Sequence, residues 1–154
     1  MRLIDSAIGD FDRLASGFRW QVPSRLNIAQ LCCDRHRDRA DQIAVYYENA
    51  GGVRKTLSYG QLIRHSNQCA NMLRGLGVGP GDRVAMILPQ RMETAIAHMA
   101  CYKIGAIAVP LSILFGEDAL SYRLSDSGAG VVITDASRLD LLQGMRDRLP
   151  DLRE

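Results

Sequence analysis

No run in the sequence approaches the roughly 20 consecutive apolar residues that a membrane-spanning helix needs, which excludes a helical span. Residues 1–12 mix apolar side chains with Asp5 and Asp10, and no basic segment precedes a long apolar stretch, so they do not read as a secretory signal. Cysteine is sparse and unpatterned. Cys32, Cys33, Cys69 and Cys101 include no C-x-x-C pair and no framework spacing, which argues against a disulfide scaffold and fits reduced thiols in the cytoplasm. An excess of one charge is missing too: 19 basic and 17 acidic residues are interspersed and leave a net charge of +2, which implies neither a nucleic-acid nor a membrane-surface partner. Nothing resembles a Ser nucleophile elbow, and no cysteine is flanked by features that would activate a thiolate.

What is present is the composition of an ordinary globular domain, 47% hydrophobic and 23% charged over 154 residues, enough for one core. Residues 1–26 carry Phe11, Phe18, Trp20 and Pro23 without clear periodicity and are expected to form an irregular arm packed by its aromatics. Asn27 can cap a short helix through Ile28, Leu31 and Cys32, ended by the charged stretch Asp34 to Asp41, whose side chains are expected to be solvated. Ile43–Tyr47 and Val53–Leu57 read as a hairpin around Asn49-Ala50-Gly51-Gly52. Ser58 and Gln61 have capping-box spacing ahead of a helix whose apolar positions run from Tyr59 to Leu76, stopped by Gly75 and Gly77.

Val84 to Leu88 is apolar throughout, as a parallel strand covered on both faces should be, and Pro89 ends it. Met92 to Tyr102 is apolar nearly all round and reads as a buried helix, with Lys103 near its negative end and Gly105 beyond it. Ala106–Val109 and Val131–Thr134 are further strands, separated by a helix over Asp118–Ser125 and followed by one over about Ser137–Leu149. Strand and helix alternating from residue 57 to 149 predict an α/β fold, a layered parallel sheet with flanking helices plus a small N-terminal hairpin.

Several patterns could carry chemistry. The glycine run Gly75 to Gly81 ends a helix and leads into a strand, the reverse of a phosphate-binding loop, and no Gly-Lys-Ser/Thr follows, so it reads as a helix stop and turn. His65 with Cys69, and His98 with Cys101, have helical spacing but no partner pair to complete a metal site. The loops Pro89-Gln90-Arg91 and Pro110 to Gly116 fall at the carboxyl ends of predicted parallel strands, where open α/β sheets place ligands. In the second, Phe115 could stack on a ring and Gly116 permits close backbone approach.

Four segments in order resemble the adenylate-forming synthetases, and among them the AMP-forming acyl-CoA synthetases: Leu57-Ser58-Tyr59-Gly60-Gln61-Leu62, Gly77-Val78-Gly79-Pro80-Gly81-Asp82-Arg83-Val84-Ala85, Leu88-Pro89-Gln90, and Tyr102 to Leu111. The resemblance runs from about Phe18 onward, with Gln61 where the family commonly has Glu. The continuation Ser112-Ile113-Leu114-Phe115-Gly116 is similar to acetyl-CoA and medium-chain acyl-CoA synthetases rather than to peptide-synthetase adenylation domains. The resemblance implies ATP-dependent adenylation of a carboxylic acid with Mg, followed by displacement of AMP by CoA. It further implies that Phe115 and Gly116 line the CoA nucleotide site, with Arg138 a candidate for a phosphate contact. Glu117 stands where the family loop often has a second Gly.

On this reading residues 1–26 are an arm and 27–154 the first α/β subdomain of the synthetase fold, an N-terminal fragment that stops before the ATP phosphate loop. No catalytic or metal-binding residue is assigned within it. The fragment is expected to be inactive alone and to associate with the remaining part of the enzyme, or with itself, through exposed apolar surface. The rival readings are a stand-alone flavodoxin-like binding or regulatory module and an adenylation domain from another branch of the superfamily.

Overall fold

A computed structural model describes residues 11–154 of the chain. The element order is α1 (Phe11–Gly17), α2 (Ile28–Cys32), a 3-10 segment (Asp34–Arg39), β1 (Ile43–Glu48), β2 (Arg54–Ser58), α3 (Tyr59–Gly75), β3 (Arg83–Ile87), α4 (Met92–Ile104), β4 (Ile107–Pro110), α5 (Glu117–Ser127), β5 (Val131–Thr134), α6 (Ala136–Gly144) and a 3-10 turn (Arg146–Arg148). β1 and β2 form an antiparallel hairpin; β3 is the middle strand of a parallel sheet of order β4-β3-β5. The registers Val84↔Ala108 and Val84↔Val131 align the three strands, so their carboxyl ends share one edge.

β3 explains the layering. Its side chains alternate between two faces. Val84 and Met86 join a core with Ala70 and Leu73 of α3, Ala97, Ala100, Cys101 and Ile104 of α4, and Val131 of β5. Ala85 and Ile87 join another with Leu120 and Leu124 of α5 and Leu142 of α6. Every β3 residue after Arg83 is buried, which an apolar run can satisfy only with helices on both sides. The hairpin stands outside this sheet and packs through Val45 and Leu57 against Leu62, Ile63, Ile96 and Met99. α4 is thus covered on two faces, which is why its sequence shows no polar stripe.

Local signals were followed closely. Asn27 caps α2 by accepting from the Gln30 amide. Ser58 and Gln61 form the reciprocal capping box on α3. The glycine run closes α3: Val78 N–H donates to Leu73 O at 3.0 Å and Gly77 N–H to Arg74 O at 2.9 Å, with Gly77 left-handed at φ 79°. The Gly79 amide is taken by Asp82 Oδ2 at 2.8 Å and that of Gly81 by Gly105 O at 2.9 Å, so the loop spends its donors internally. β4 is an edge strand. Ile107 and Leu111 donate to β3 carbonyls or their approach, so the alternate position Pro110 turns its missing N–H to the free edge.

Three expectations need correction. The arm is not wholly irregular, because it contains a helix, α1; of its aromatics, Phe18 meets Trp20 edge-to-face at 4.9 Å, while Phe11 is 79% and Trp20 69% exposed. The part of the arm at residues 1–10 lies outside the described residues. The charged stretch after α2 is not merely solvated. Asp34 Oδ1 accepts from Lys103 Nζ at 2.7 Å, and the ammonium also donates to Asn67 Oδ1 at 2.6 Å and Ile63 O at 3.4 Å. With its side chain 9% exposed, Lys103 is an almost desolvated cation that ties the 3-10 segment, α3 and α4 together. The last helix stops at Gly144 rather than near Leu149, because a 3-10 turn lets Met145, Leu149 and Leu152 enter the second core.

Arg83 is another internal tie. Its Nε and Nη2 donate to Ser127 O and Gly128 O, each at 2.9 Å, satisfying carbonyls at the C-terminal end of α5 from the amino edge of the sheet. All four thiols are free; Cys32 is exposed, Cys33 and Cys101 are buried and Cys69 is half-buried. Burial pushes the Cys101 thiol up to about 12 and also raises Cys33 and Cys69.

Replacing Lys103 with Met should lower stability by about 2–3 kcal/mol in urea denaturation, because it strands Asp34 and Asn67; an unchanged midpoint would contradict the tie. A thiol-specific reagent at neutral pH should titrate Cys32 rapidly and Cys69 slowly in the native chain, and Cys33 and Cys101 only after denaturation. Rapid modification of all four would contradict this burial pattern.

Candidate functional site

The carboxyl edge of the sheet is where the chain gathers its strand-to-helix connections. Strand ends leave peptide groups there, and the three connections that leave them are the loop after β3, the loop after β4 and the entry to α6. In the first, Thr94 Oγ1 donates to Pro89 O at 2.7 Å, fixing the turn into α4. Arg91 pairs with Glu93 at 2.7 Å and reaches toward Asp135 at 4.0 Å, so it links the β3 and β5 loops across the edge. Thr134 Oγ1 donates to Ile87 O at 3.0 Å and binds the same two strand ends.

The second loop is folded by Ser112, whose hydroxyl accepts from the Leu114 amide at 3.1 Å and whose carbonyl accepts from Phe115 N–H at 3.2 Å. This turn leaves Leu114 85% exposed and directs Phe115 against the second core. The Arg123 guanidinium lies over the Phe115 ring, 4.2 Å from its centroid. Gly116 is the N-cap of α5, with extended backbone at φ −76° and ψ 178°. A Cβ built there would meet nothing within 4 Å, so the backbone is open to a neighbour at this point.

Arg138 sits on the first turn of α6, whose N-cap Asp135 accepts from Ser137 N–H at 3.0 Å and from its hydroxyl at 2.5 Å. The Ser137 hydroxyl, aided by Arg91 and Arg138, holds the Asp135 carboxyl below its ordinary range. Phe115 and Gly116 are therefore contiguous, and Arg138 shares their sheet edge from a separate helix. Among the described residues no hydrogen bond, ion pair or ring contact joins Arg138 to the other two.

The position of Glu117 has a definite consequence. Glu117 and Asp118 occupy the first turn of α5, where carboxylates complement the helix dipole, and Arg148 pairs with both. An anion approaching that N-terminus would meet two carboxylates, so phosphate groups are favoured elsewhere on the edge. Sequence reasoning did not single out Arg123 or Arg148; each sits on a polar helix face and becomes visible only through its tertiary contact.

Two surface grooves flank the edge. One, of about 580 Å³, runs between the β3 and β4 loops past Pro89, Gln90, Thr94, His98, Leu111 and Leu114. The other, of about 540 Å³, lies against the hairpin and shares Gln90, Thr94 and His98. His98 donates through Nδ1 to Thr94 O at 2.8 Å, and Cys101 is a core residue on the sheet-facing side of the same helix. A larger groove, about 790 Å³, is at the opposite end: it is lined by Asp34 and Arg35 of the 3-10 segment and by Arg74 and Lys103 at the C-terminal ends of α3 and α4, hence at the amino edge. Volume and chemistry disagree here. The carboxyl edge carries the loops and the aromatic platform, whereas the floor of the larger groove is spent on the Lys103 ion pair.

Comparison with known proteins matches this architecture to one family. A family model described as AMP-binding enzyme matches residues 33–153. The chain is 42% identical over 118 residues to the acetyl-coenzyme A synthetase of Streptomyces coelicolor, covering 75% of this chain and 18% of that protein. It is 39% identical, with the same coverage, to the 3-hydroxypropionyl-coenzyme A synthetase of Sulfurisphaera tokodaii. The crystal structure of an acyl-CoA synthetase from Brucella canis superposes with a TM-score of 0.78 at 26% identity, over 96% of this chain and 26% of that one. The chain thus spans about a fifth of the length of the curated relatives it matches. The free-standing flavodoxin-like reading is set aside by the match, and the parallel sheet with its flanking helices is the corresponding part of the synthetase fold. The chain belongs to the AMP-binding enzyme family.

Proposed function

We propose that residues 27–154 are the first α/β subdomain of an AMP-forming acid–CoA ligase, and that their contribution to it is one wall of the CoA nucleotide site. The complete reaction of such a ligase joins a carboxylic acid to ATP as an acyl-adenylate, with Mg, and then transfers the acyl group to the CoA thiol. Adenylation makes AMP a good leaving group, so the thiol can displace it under mild conditions.

One observation carries the reading: Phe115 and Gly116 form an aromatic-then-open-backbone step at the carboxyl end of a parallel strand, on a chain whose relatives are named as CoA synthetases. A planar base can lie over the aromatic step, which the Arg123 guanidinium covers, while a linker passes the unobstructed glycine. Arg138, on the first turn of α6, supplies a cation on the same edge that a ligand phosphate could engage. The phosphoryl chemistry itself needs concentrated positive charge around the transferring group. The carboxyl edge has Arg91 engaged by Glu93 and Asp135, and no Gly-Lys-Ser/Thr occurs in the 154 residues, so ATP is assigned to other parts of such an enzyme. A cytoplasmic location fits the reduced thiols and the CoA substrate.

Titrating CoA and ATP separately into the purified chain by isothermal calorimetry tests the assignment. CoA should bind weakly, with a Kd on the order of 0.1 mM, as expected of a half-site, and ATP should give no saturable heat. Saturable ATP binding without CoA binding would overturn the reading.

A further inference from the structure

We infer that Arg123, rather than the Phe115 ring, is the surface on which the purine of a CoA-type ligand stacks, so that Arg123 sets the preference for an adenine-bearing ligand. This inference rests on the CoA-site reading above and deepens it.

The geometry gives the reason. Phe115 packs against the core cluster of Ala85, Ile87, Leu120 and Leu142, and the Arg123 guanidinium lies 4.2 Å from the ring centroid. With core on one side and the guanidinium over a face, the ring has little free surface for a base. The guanidinium is planar and delocalised, and its outer face presents the same flat, stackable surface one layer out. It is also held in place: Arg123 Nη1 donates to Ala119 O at 3.0 Å, one turn back along α5. Stacking therefore finds a platform that is already ordered, which lowers the entropy lost on binding.

The charge of Arg123 is compatible with the same ligand. Arg91, Arg148 and Lys103 are each paired with carboxylates, whereas no described carboxylate pairs with Arg123. Glu117 and Asp118 already occupy the N-terminus of α5, so a ligand phosphate is turned away from that helix end and toward Arg123 and Arg138, which have no ion pair among the described residues. A nucleotide carrying a ribose phosphate satisfies both demands, a flat base for the guanidinium face and an anion for its charge.

The test uses three ligands on the intact chain: CoA, adenosine 3′,5′-bisphosphate and 4′-phosphopantetheine, titrated into the unsubstituted protein, Arg123→Gln and Arg123→Lys. Thermal melts followed by circular dichroism confirm that each variant is folded. Stacking on a base predicts that Arg123→Gln loses about tenfold in affinity for CoA and for the bisphosphate while 4′-phosphopantetheine binding is unchanged. Arg123→Lys, which keeps the charge and loses the plane, should recover less than half of that loss on a logarithmic scale. Full recovery by Lys would reduce the role to charge and overturn the platform. Equal losses for all three ligands, or tighter adenine binding by Arg123→Gln, would also overturn it, the latter showing that the guanidinium blocks the ring. Failure of the unsubstituted chain to bind CoA would instead sink the underlying site assignment, and this inference with it.

Discussion

Burial of β3 on both faces is the constraint on which the other features depend. Val84, Met86 and Ile87 are at most 2% exposed, and each fully buried apolar side chain of this size contributes about 1.5–3 kcal/mol. A strand of that kind cannot stand at the surface, so the chain must supply a helical layer on each side. α3 and α4 cover one face, and α5 and α6 the other. Because all three strands are parallel, the connections that leave them emerge together, and the residues that fold into the cores leave a row of loops at one edge. The arrangement of Phe115, Gly116, Asp135 and Arg138 is a geometrical result of that layering.

Charge is distributed differently at the two ends of the sheet. At the amino edge it is used for construction: Arg83 holds the end of α5, and Lys103 joins Asp34 and Asn67 near the C-terminus of α4. A cation at that position also opposes the negative end of the α4 dipole. At the carboxyl edge the pairs are more exposed, and Arg123 and Arg138 have no carboxylate within ion-pair distance among the described residues. Exposed pairs add little stability. Arg35, Arg37 and Arg74, which have no ion pair among the described residues, line the larger groove at the amino edge, so the loops and the aromatic step, rather than free charge, mark the second edge as the ligand edge.

The elements were legible in the sequence to the extent that their signals were local. Ser58 with Gln61, Asn27, and the apolar run from Val84 are decided by neighbours a few residues away, and each appears where its pattern places it. Features decided by distant partners were not legible. The break after Gly144 is imposed by a core that wants Met145, and the ion pair of Asp34 requires a lysine 69 residues away. The site shows the same division. Phe115 and Gly116 could be found because they follow a strand end and resemble a family motif, but Arg123 lies on a helix face like any solvated arginine until the fold lays it on the ring. In the arm, contact between Phe18 and Trp20 agrees with packing by its aromatics, whereas the helix over Phe11–Gly17 carries no clear apolar period that would have announced it.

The account's central claim is that the carboxyl edge of the parallel sheet is the ligand edge, in preference to the larger groove at the amino edge. Amide hydrogen exchange with and without saturating CoA, read segment by segment, tests it most directly. Slowed exchange confined to residues 112–123 and 135–139, with 34–37 and 67–74 unchanged, is the predicted result. Protection of the Arg35 and Arg74 groove with no change near Phe115 would contradict the claim and move the ligand to the opposite end of the sheet.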